Sequence, residues 1–243
     1  MRTLYLHIGQ GKTGSSFLQA SLANSETQLR HHGFEYYQGQ KGPASEWKIS
    51  SGNGPLLLDQ PVDAFEFSEN KVIFSFEGLF GSLALHPFFP GKLRQLCELH
   101  SFSAVRILLF LRNPVAHAES RHQQGVKRGG ITDSIETAFQ TYNIPEIIRT
   151  LLARDLGLPN ISFDIFNYDN HRTGILGILA GFLGIPVKCL AGEASREVNR
   201  SLSAAECAAW QISELSQRCF VQRVALCEPR SHVSANCGPA SND

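Results

Sequence analysis

Three glycines, one lysine and two serines fall within the stretch Gly9-Gln-Gly-Lys-Thr-Gly-Ser-Ser16. Glycine accepts left-handed backbone and lets the chain approach a ligand closely. Ser15 and Ser16 stand where a helix is expected to begin, and a helix start presents free N–H groups and a positive dipole end. Lys12 adds a mobile cation, and the serines add hydroxyl donors. This is the chemistry of an anion site, with phosphate the first anion to consider. Two further places carry reactive groups. Glu77 follows the apolar run Val72-Ile-Phe-Ser-Phe76 and is flanked by Phe76, Leu79 and Phe80, a setting that suits proton transfer. The alternative is a strand-end carboxylate that caps the following turn. Arg112 follows a second apolar run, Val105 to Leu111, and Ser120 lies eight residues later. An arginine offers a fixed fork of donors for phosphate. The plainer reading is a strand-end salt bridge for Arg112 and a small contact residue for Ser120.

The elements that must hold these groups can be read from periodicity. Leu4 to Ile8 is expected to be a buried strand, and Leu18, Leu22 and Leu29 give the following helix one apolar face. Phe34–Tyr37, Val72–Phe76, Val105–Leu111 and Ile161–Phe166 are further strand candidates. The run 105–111 suits a central parallel strand covered on both faces. Asn113 can cap the next helix, with Pro114 at its first position. That helix is expected to reach about Lys127, where Lys127 and Arg128 read as a solvated helix end. Helices are expected at 92–100, 134–142 (started by Asp133 with Glu136), 145–156, 174–184 and 204–221, the last behind a Ser203/Glu206 capping box. Residues 38–60 read as a long loop in which Trp47 either contacts a substrate or anchors the loop. One domain is expected over 1–228, and 229–243 has the composition of a disordered tail.

Composition bounds the rest. The 243 residues are 42% hydrophobic and 18% charged with zero formal net charge, so no global field points to nucleic acid or an anionic membrane. No apolar run approaches the ~20 residues of a membrane span. The first strand begins almost at Met1, which leaves no secretory signal and makes a cytoplasmic enzyme the expectation. The cysteines, at 97, 189, 207, 219, 227 and 237, show no metal-site spacing and read as plain thiols.

The ATP-binding P-loop requires Gly-x-x-x-x-Gly-Lys-Ser/Thr. Gly11-Lys12-Thr13 fits its end, but its first glycine would fall on Leu6. The stretch Lys12-Thr-Gly-Ser-Ser-Phe-Leu18 instead resembles the 5′-phosphosulfate loop of sulfotransferases that use 3′-phosphoadenosine 5′-phosphosulfate (PAPS). Arg112 with Ser120 resembles the same family's 3′-phosphate motif, and Ser75-Phe-Glu-Gly78 its general-base segment. Tyr168, in Asn167-Tyr-Asp-Asn170, matches a tyrosine turn that contacts adenine, although Asp169 and Asn170 depart from its usual acidic pair. Phe17 matches an aromatic position that stacks on adenine, and otherwise reads as a core residue. Val198 to Ser203 resembles a segment common near the C-terminus of bacterial members.

The resemblance, in the family's motif order, implies a three-layer α/β/α sandwich with a central parallel sheet, similar to the P-loop NTPase fold. It implies PAPS as co-substrate, with no metal. Lys12 and Glu77 would be catalytic. Gly11, Lys12, Thr13, Gly14, Ser15, Ser16, Phe17, Arg112, Ser120 and Tyr168 would bind the nucleotide. The acceptor would be a hydroxyl or amine of a glycan or small molecule, with no nucleic acid or membrane span involved. His7 and His86 are the next candidates for the base. Two rival readings remain: a nucleotide-dependent kinase or NTPase, weakened by Leu6 and by the lack of an acidic residue placed for Mg²⁺, and a non-catalytic nucleotide-binding protein.

Overall fold

The structure, a computed structural model, describes residues 1–37 and 52–192 together with 206, 207, 209 and 211. Trp47 and most of the expected 38–60 loop, the 199–203 segment, most of the 204–221 helix and the 229–243 tail lie outside the described residues.

Five strands form one parallel sheet: β1 (Arg2–His7), β2 (Phe34–Tyr36), β3 (Lys71–Ser75), β4 (Phe102–Leu111) and β5 (Ile161–Asn167), in the order β2-β3-β1-β4-β5. The chain leaves β1 for β2 and β3 on one side, then crosses to β4 and β5 on the other. The order therefore reverses at β1, and a crevice outside its carboxyl end is where such sheets place ligands.

Helices cover both faces, giving the expected three-layer α/β/α sandwich. On one face pack α3 (Pro55–Asp59), α4 (Gly78–Leu85), α5 (Phe89–Leu99) and α8 (Ile144–Ala153). On the other pack α1 (Ser15–Asn24), α2 (Glu26–His31) and α10 (Ile175–Leu183). Strand side chains sort between the layers with period two. Leu4, Leu6 and Ile8 join Val72, Phe74, Val105, Ile107 and Leu109 in the first core. Tyr5, Ile73, Leu108 and Phe110 enter the second. A slip of one residue in β1 would exchange the two sets, and each fully buried side chain of this size is worth roughly 1.5–3 kcal/mol.

The remaining helices are α6 (Pro114–Gly129), α7 (Ile135–Gln140) and the short α9 (Tyr168–His171). Asn113 caps α6 as expected, its Oδ1 accepting from the N–H groups of Val115 and Ala116. Three expectations are corrected. The first helix breaks at Ser25 into α1 and α2. The 38–60 loop contains α3, with Pro55 at its start. The cap of α7 is Ser134, which accepts from Thr137 N, and not Asp133.

Contacts divide the chain into two compact units, Met1–His122 with Ser134–Ser201, and Gln123–Asp133 with Leu202–Asp243. The first holds the sheet and every candidate site residue. In the second, Ile131 N donates to Gly125 O, Gln211 Nε2 donates to Asp133 O, and Lys127 and Arg128 are exposed in the last turn of α6.

Candidate functional site

The carboxyl end of β1 runs through Ile8 into a loop that enters α1. Four of its six residues from Gly9 to Gly14 have positive φ: Gly9 (22°), Gly11 (72°), Lys12 (54°) and Gly14 (76°). Left-handed residues in such a turn aim consecutive N–H groups toward a common concavity that suits an anion. Lys12 is the informative member, because a side chain in this region costs energy that the fold must supply. Two glycines are required by space as well. A Cβ on Gly9 would lie 2.5 Å from Ser15 Oγ, and one on Gly14 would lie 3.1 Å from the Tyr168 ring and 3.0 Å from Ile175. The N-terminus of α1 has no side-chain cap.

Around this loop sit buried polar atoms that make no hydrogen bond: Thr13 Oγ1, Ser15 Oγ, His7 Nε2 and Ser120 Oγ. A buried hydroxyl left unpaired costs roughly 1–3 kcal/mol. Their gathering in one region fits a ligand that brings acceptors. Ser120 is on the buried face of α6, three residues after His117 and hence beside it.

Arg112 follows β4. Its backbone N–H donates to Gln10 Oε1 at 2.9 Å and its Nη1 to the Lys12 carbonyl at 3.3 Å. Its Nε lies 3.4 Å from Asp169 Oδ1, and its guanidinium carbon stands 5.9 Å from the centre of the Tyr168 ring. Tyr168, packed against Gly14, therefore joins both ends of the site. The structure thus brings Gly11, Lys12, Thr13, Gly14, Arg112 and Tyr168 together as one cluster. Phe17 is 9% exposed and belongs to the apolar core with Leu18, Leu22 and Ile175, which is the other reading its position offered.

Glu77 ends up at the N-terminus of α4 but makes no cap bond. Its Oε2 accepts instead from Gln19 Nε2 at 3.1 Å, and its Cγ lies 3.6 Å from the Cβ position of Gly9. The Nε2 of His7 approaches the same point. His7 is fully buried, which lowers its pKa to about 4, and its Nδ1 pairs with Ser75 Oγ at 2.7 Å. His86 is placed differently. It is exposed, and its Nδ1 accepts from the N–H groups of Phe88 and Phe89 at the start of α5.

Sequence reasoning missed Gln10, Gln19, His117 and Tyr142. His117 is buried, with Nε2 3.2 Å from the Gly11 carbonyl and Nδ1 2.8 Å from Tyr142 Oη. Burial, opposed by the Gly11 carbonyl, lowers its pKa to about 4. The one available signal was that His117 lies a helical turn before Ser120 and so shares its face.

Among the described residues, no group of His, Cys, Asp and Glu side chains could hold a metal ion, and no helix is long and apolar enough to cross a membrane. A cavity of about 530 Å³ is lined by none of the site residues. It lies by α5 and the turn after α8, where Lys92 and Arg154 already donate to backbone carbonyls.

No protein-family model matches the chain, and no curated protein matches it in sequence. Among solved structures, it is similar to a sulfotransferase from Alicyclobacillus acidocaldarius at 14% identity and a TM-score of 0.44, over 91% of this chain and 96% of that one. It is also similar to a retinol dehydratase in complex with androsterone and inactive cofactor PAP, at 11% identity and a TM-score of 0.34, over 88% of this chain and 65% of that one.

Proposed function

We propose that this protein is a PAPS-dependent sulfotransferase that moves a sulfuryl group to a hydroxyl or amine of a glycan or small-molecule acceptor. The observation that carries the reading is the set of buried hydroxyls without a hydrogen-bond partner at two places in one site. Thr13 lies in the loop, Ser15 at the start of α1 and Ser120 on α6, with the Arg112 guanidinium at the end of β4. A ligand with two separated phosphates answers both sets, and a 3′-phosphate is what distinguishes this nucleotide from ATP. The residues present therefore fit the co-substrate.

PAPS supplies a sulfuryl group activated by its bond to the 5′-phosphate. Lys12 and the N–H groups at the start of α1 hold the 5′-phosphate and neutralise charge that builds on it as that bond breaks. Arg112 and Ser120 hold the 3′-phosphate, and Tyr168 lies between the two ends beside the loop. Glu77 takes the proton of the acceptor as the new bond to sulfur forms, and Gln19 fixes the carboxylate that does so. Sulfur gives up its bond to the 5′-phosphate oxygen for one to the acceptor oxygen or nitrogen, and the desulfated nucleotide leaves. The acidic arrangement for Mg²⁺ that a kinase requires is not part of this scheme. A cytoplasmic location completes the proposal.

Thermal unfolding with added nucleotide tests it. 3′-Phosphoadenosine 5′-phosphate is expected to raise the melting temperature, and ATP with Mg²⁺ far less. Equal stabilisation by the two would sink the reading. Sulfate release from labelled PAPS to an acceptor panel then separates an enzyme from a protein that only binds the nucleotide.

A further inference from the structure

A line of polar contacts through Gln10, Tyr142 and His117 joins Arg112 to the loop. The backbone N–H of Arg112 donates to Gln10 Oε1 at 2.9 Å. The Gln10 side chain also faces the Tyr142 hydroxyl, where it favours the ionised form against the burial that raises that group's pKa. That hydroxyl lies 2.8 Å from His117 Nδ1, and His117 Nε2 lies 3.2 Å from the Gly11 carbonyl. Gln10 and His117 are buried.

Every proton along this line is fixed by its ends. A carbonyl can only accept, so His117 Nε2 carries the hydrogen and Nδ1 is bare. Tyr142 must then donate its single proton to Nδ1, and toward Gln10 it can only accept. Gln10 therefore turns its NH₂ to Tyr142 and its oxygen to Arg112 N, which is the orientation observed. Flipping the amide would set a donor against the Arg112 N–H and an acceptor against the Tyr142 oxygen. The neutral imidazole that the line needs is the form that burial favours.

The line also orients the loop. In a planar trans peptide the C=O and N–H point in opposite directions. His117, by holding the Gly11 carbonyl, turns the N–H of Lys12 to the far side. Arg112 Nη1, by holding the Lys12 carbonyl, does the same for the N–H of Thr13. These peptides belong to the left-handed stretch of the loop, where Lys12 has φ 54°. We infer that His117 and Tyr142 are positioning residues that, through Gln10, fix the peptide planes of the anion loop and couple it to Arg112.

The coupling to a second phosphate rests on the two-ended reading of the site; the bracing of the loop does not. Two measurements on the full chain keep them apart. In ligand-free protein, Tyr142→Phe is expected to speed amide hydrogen exchange in residues 11–16 by about tenfold, leaving peptides of the sheet unchanged. Unchanged loop exchange, or equal acceleration across the sheet, overturns the brace. With ligand, Tyr142→Phe is expected to weaken 3′-phosphoadenosine 5′-phosphate by about five- to tenfold, adenosine 5′-phosphate by about two- to threefold because the loosened loop holds it too, and adenosine 3′-phosphate by less than about twofold. Equal loss for all three overturns the coupling. A wild-type protein that binds the doubly phosphorylated nucleotide no better than the others would remove the two-ended reading while the exchange result still decides the brace. Should Tyr142→Phe fail to fold, His117→Gln keeps a donor for Gly11, drops the acceptor for Tyr142 and carries the same comparisons.

Discussion

Arg112 and Asp169 meet across the carboxyl ends of β4 and β5, with Nε 3.4 Å from Oδ1, while Asn113 N donates to Oδ2 at 2.7 Å. A carboxylate thus stands beside the guanidinium proposed to receive a phosphate. Side-chain exposures of 22% and 36% leave the pair partly screened by solvent. A phosphate arriving here must share Arg112 with Asp169 and meets a like charge. Asp169→Asn keeps an acceptor for Asn113 N–H and removes the charge. It is expected to tighten 3′-phosphoadenosine 5′-phosphate by about threefold at low salt, the gain fading as salt is added. Titration calorimetry at two ionic strengths measures this. Weaker binding would mean that Asp169 serves mainly to hold Arg112 in place.

Glu77 and Gln19 define a second expectation. The Glu77 carboxylate is steered by Gln19 toward the space beside Gly9, where His7 Nε2 and Ser15 Oγ also converge. Glu77→Gln preserves shape and removes the proton acceptor. Sulfate transfer is expected to fall by about 10²–10⁴-fold, while binding of the desulfated nucleotide is retained. Turnover and calorimetry on the same preparation check both halves. Transfer at the wild-type rate would shift the proton to His7, the other group that faces this space.

How far this site was legible in the sequence depended on whether each group is positioned locally. The loop, its glycines and the start of α1 are contiguous, so their residue types alone gave the turn and the anion chemistry. The run Val105 to Leu111 announced a buried parallel strand, and it is the sheet's longest, pairing on both edges. Phe17 stayed open between core and ligand because one helix position can face either, and its place in the apolar cluster with Ile175 of α10 appears only in the fold. The helix α3 was hidden in a Gly- and Pro-rich stretch that carries no sustained period. Gln10, His117 and Tyr142 are far apart in sequence, so no spacing rule could join them. Asp169 was visible as a departure from the resembling turn, but its engagement of Arg112 appears only once β4 and β5 are paired.

The two buried histidines give a pH dependence of stability. Burial lowers His7 and His117 from 6.5 to about 4 in the folded protein. The unfolded chain therefore takes up these protons first as the solution is acidified. Their contribution is whole above about pH 6.5, falls as pH drops toward 4, and levels off below that, where folded and unfolded forms are both protonated. A shift of this size corresponds to on the order of 3 kcal/mol for each ring. Urea unfolding free energies are accordingly expected to decline from pH 6.5 to 4. His7→Gln, which removes one titrating ring, is expected to flatten part of that slope even if it lowers stability throughout. Imidazole resonances followed by NMR assign the effect, since both rings should stay neutral down to about pH 5. A His7 or His117 ring that titrates near 6.5 would show that it is not sealed from water as the packing around Phe110, Ser75 and Tyr142 requires.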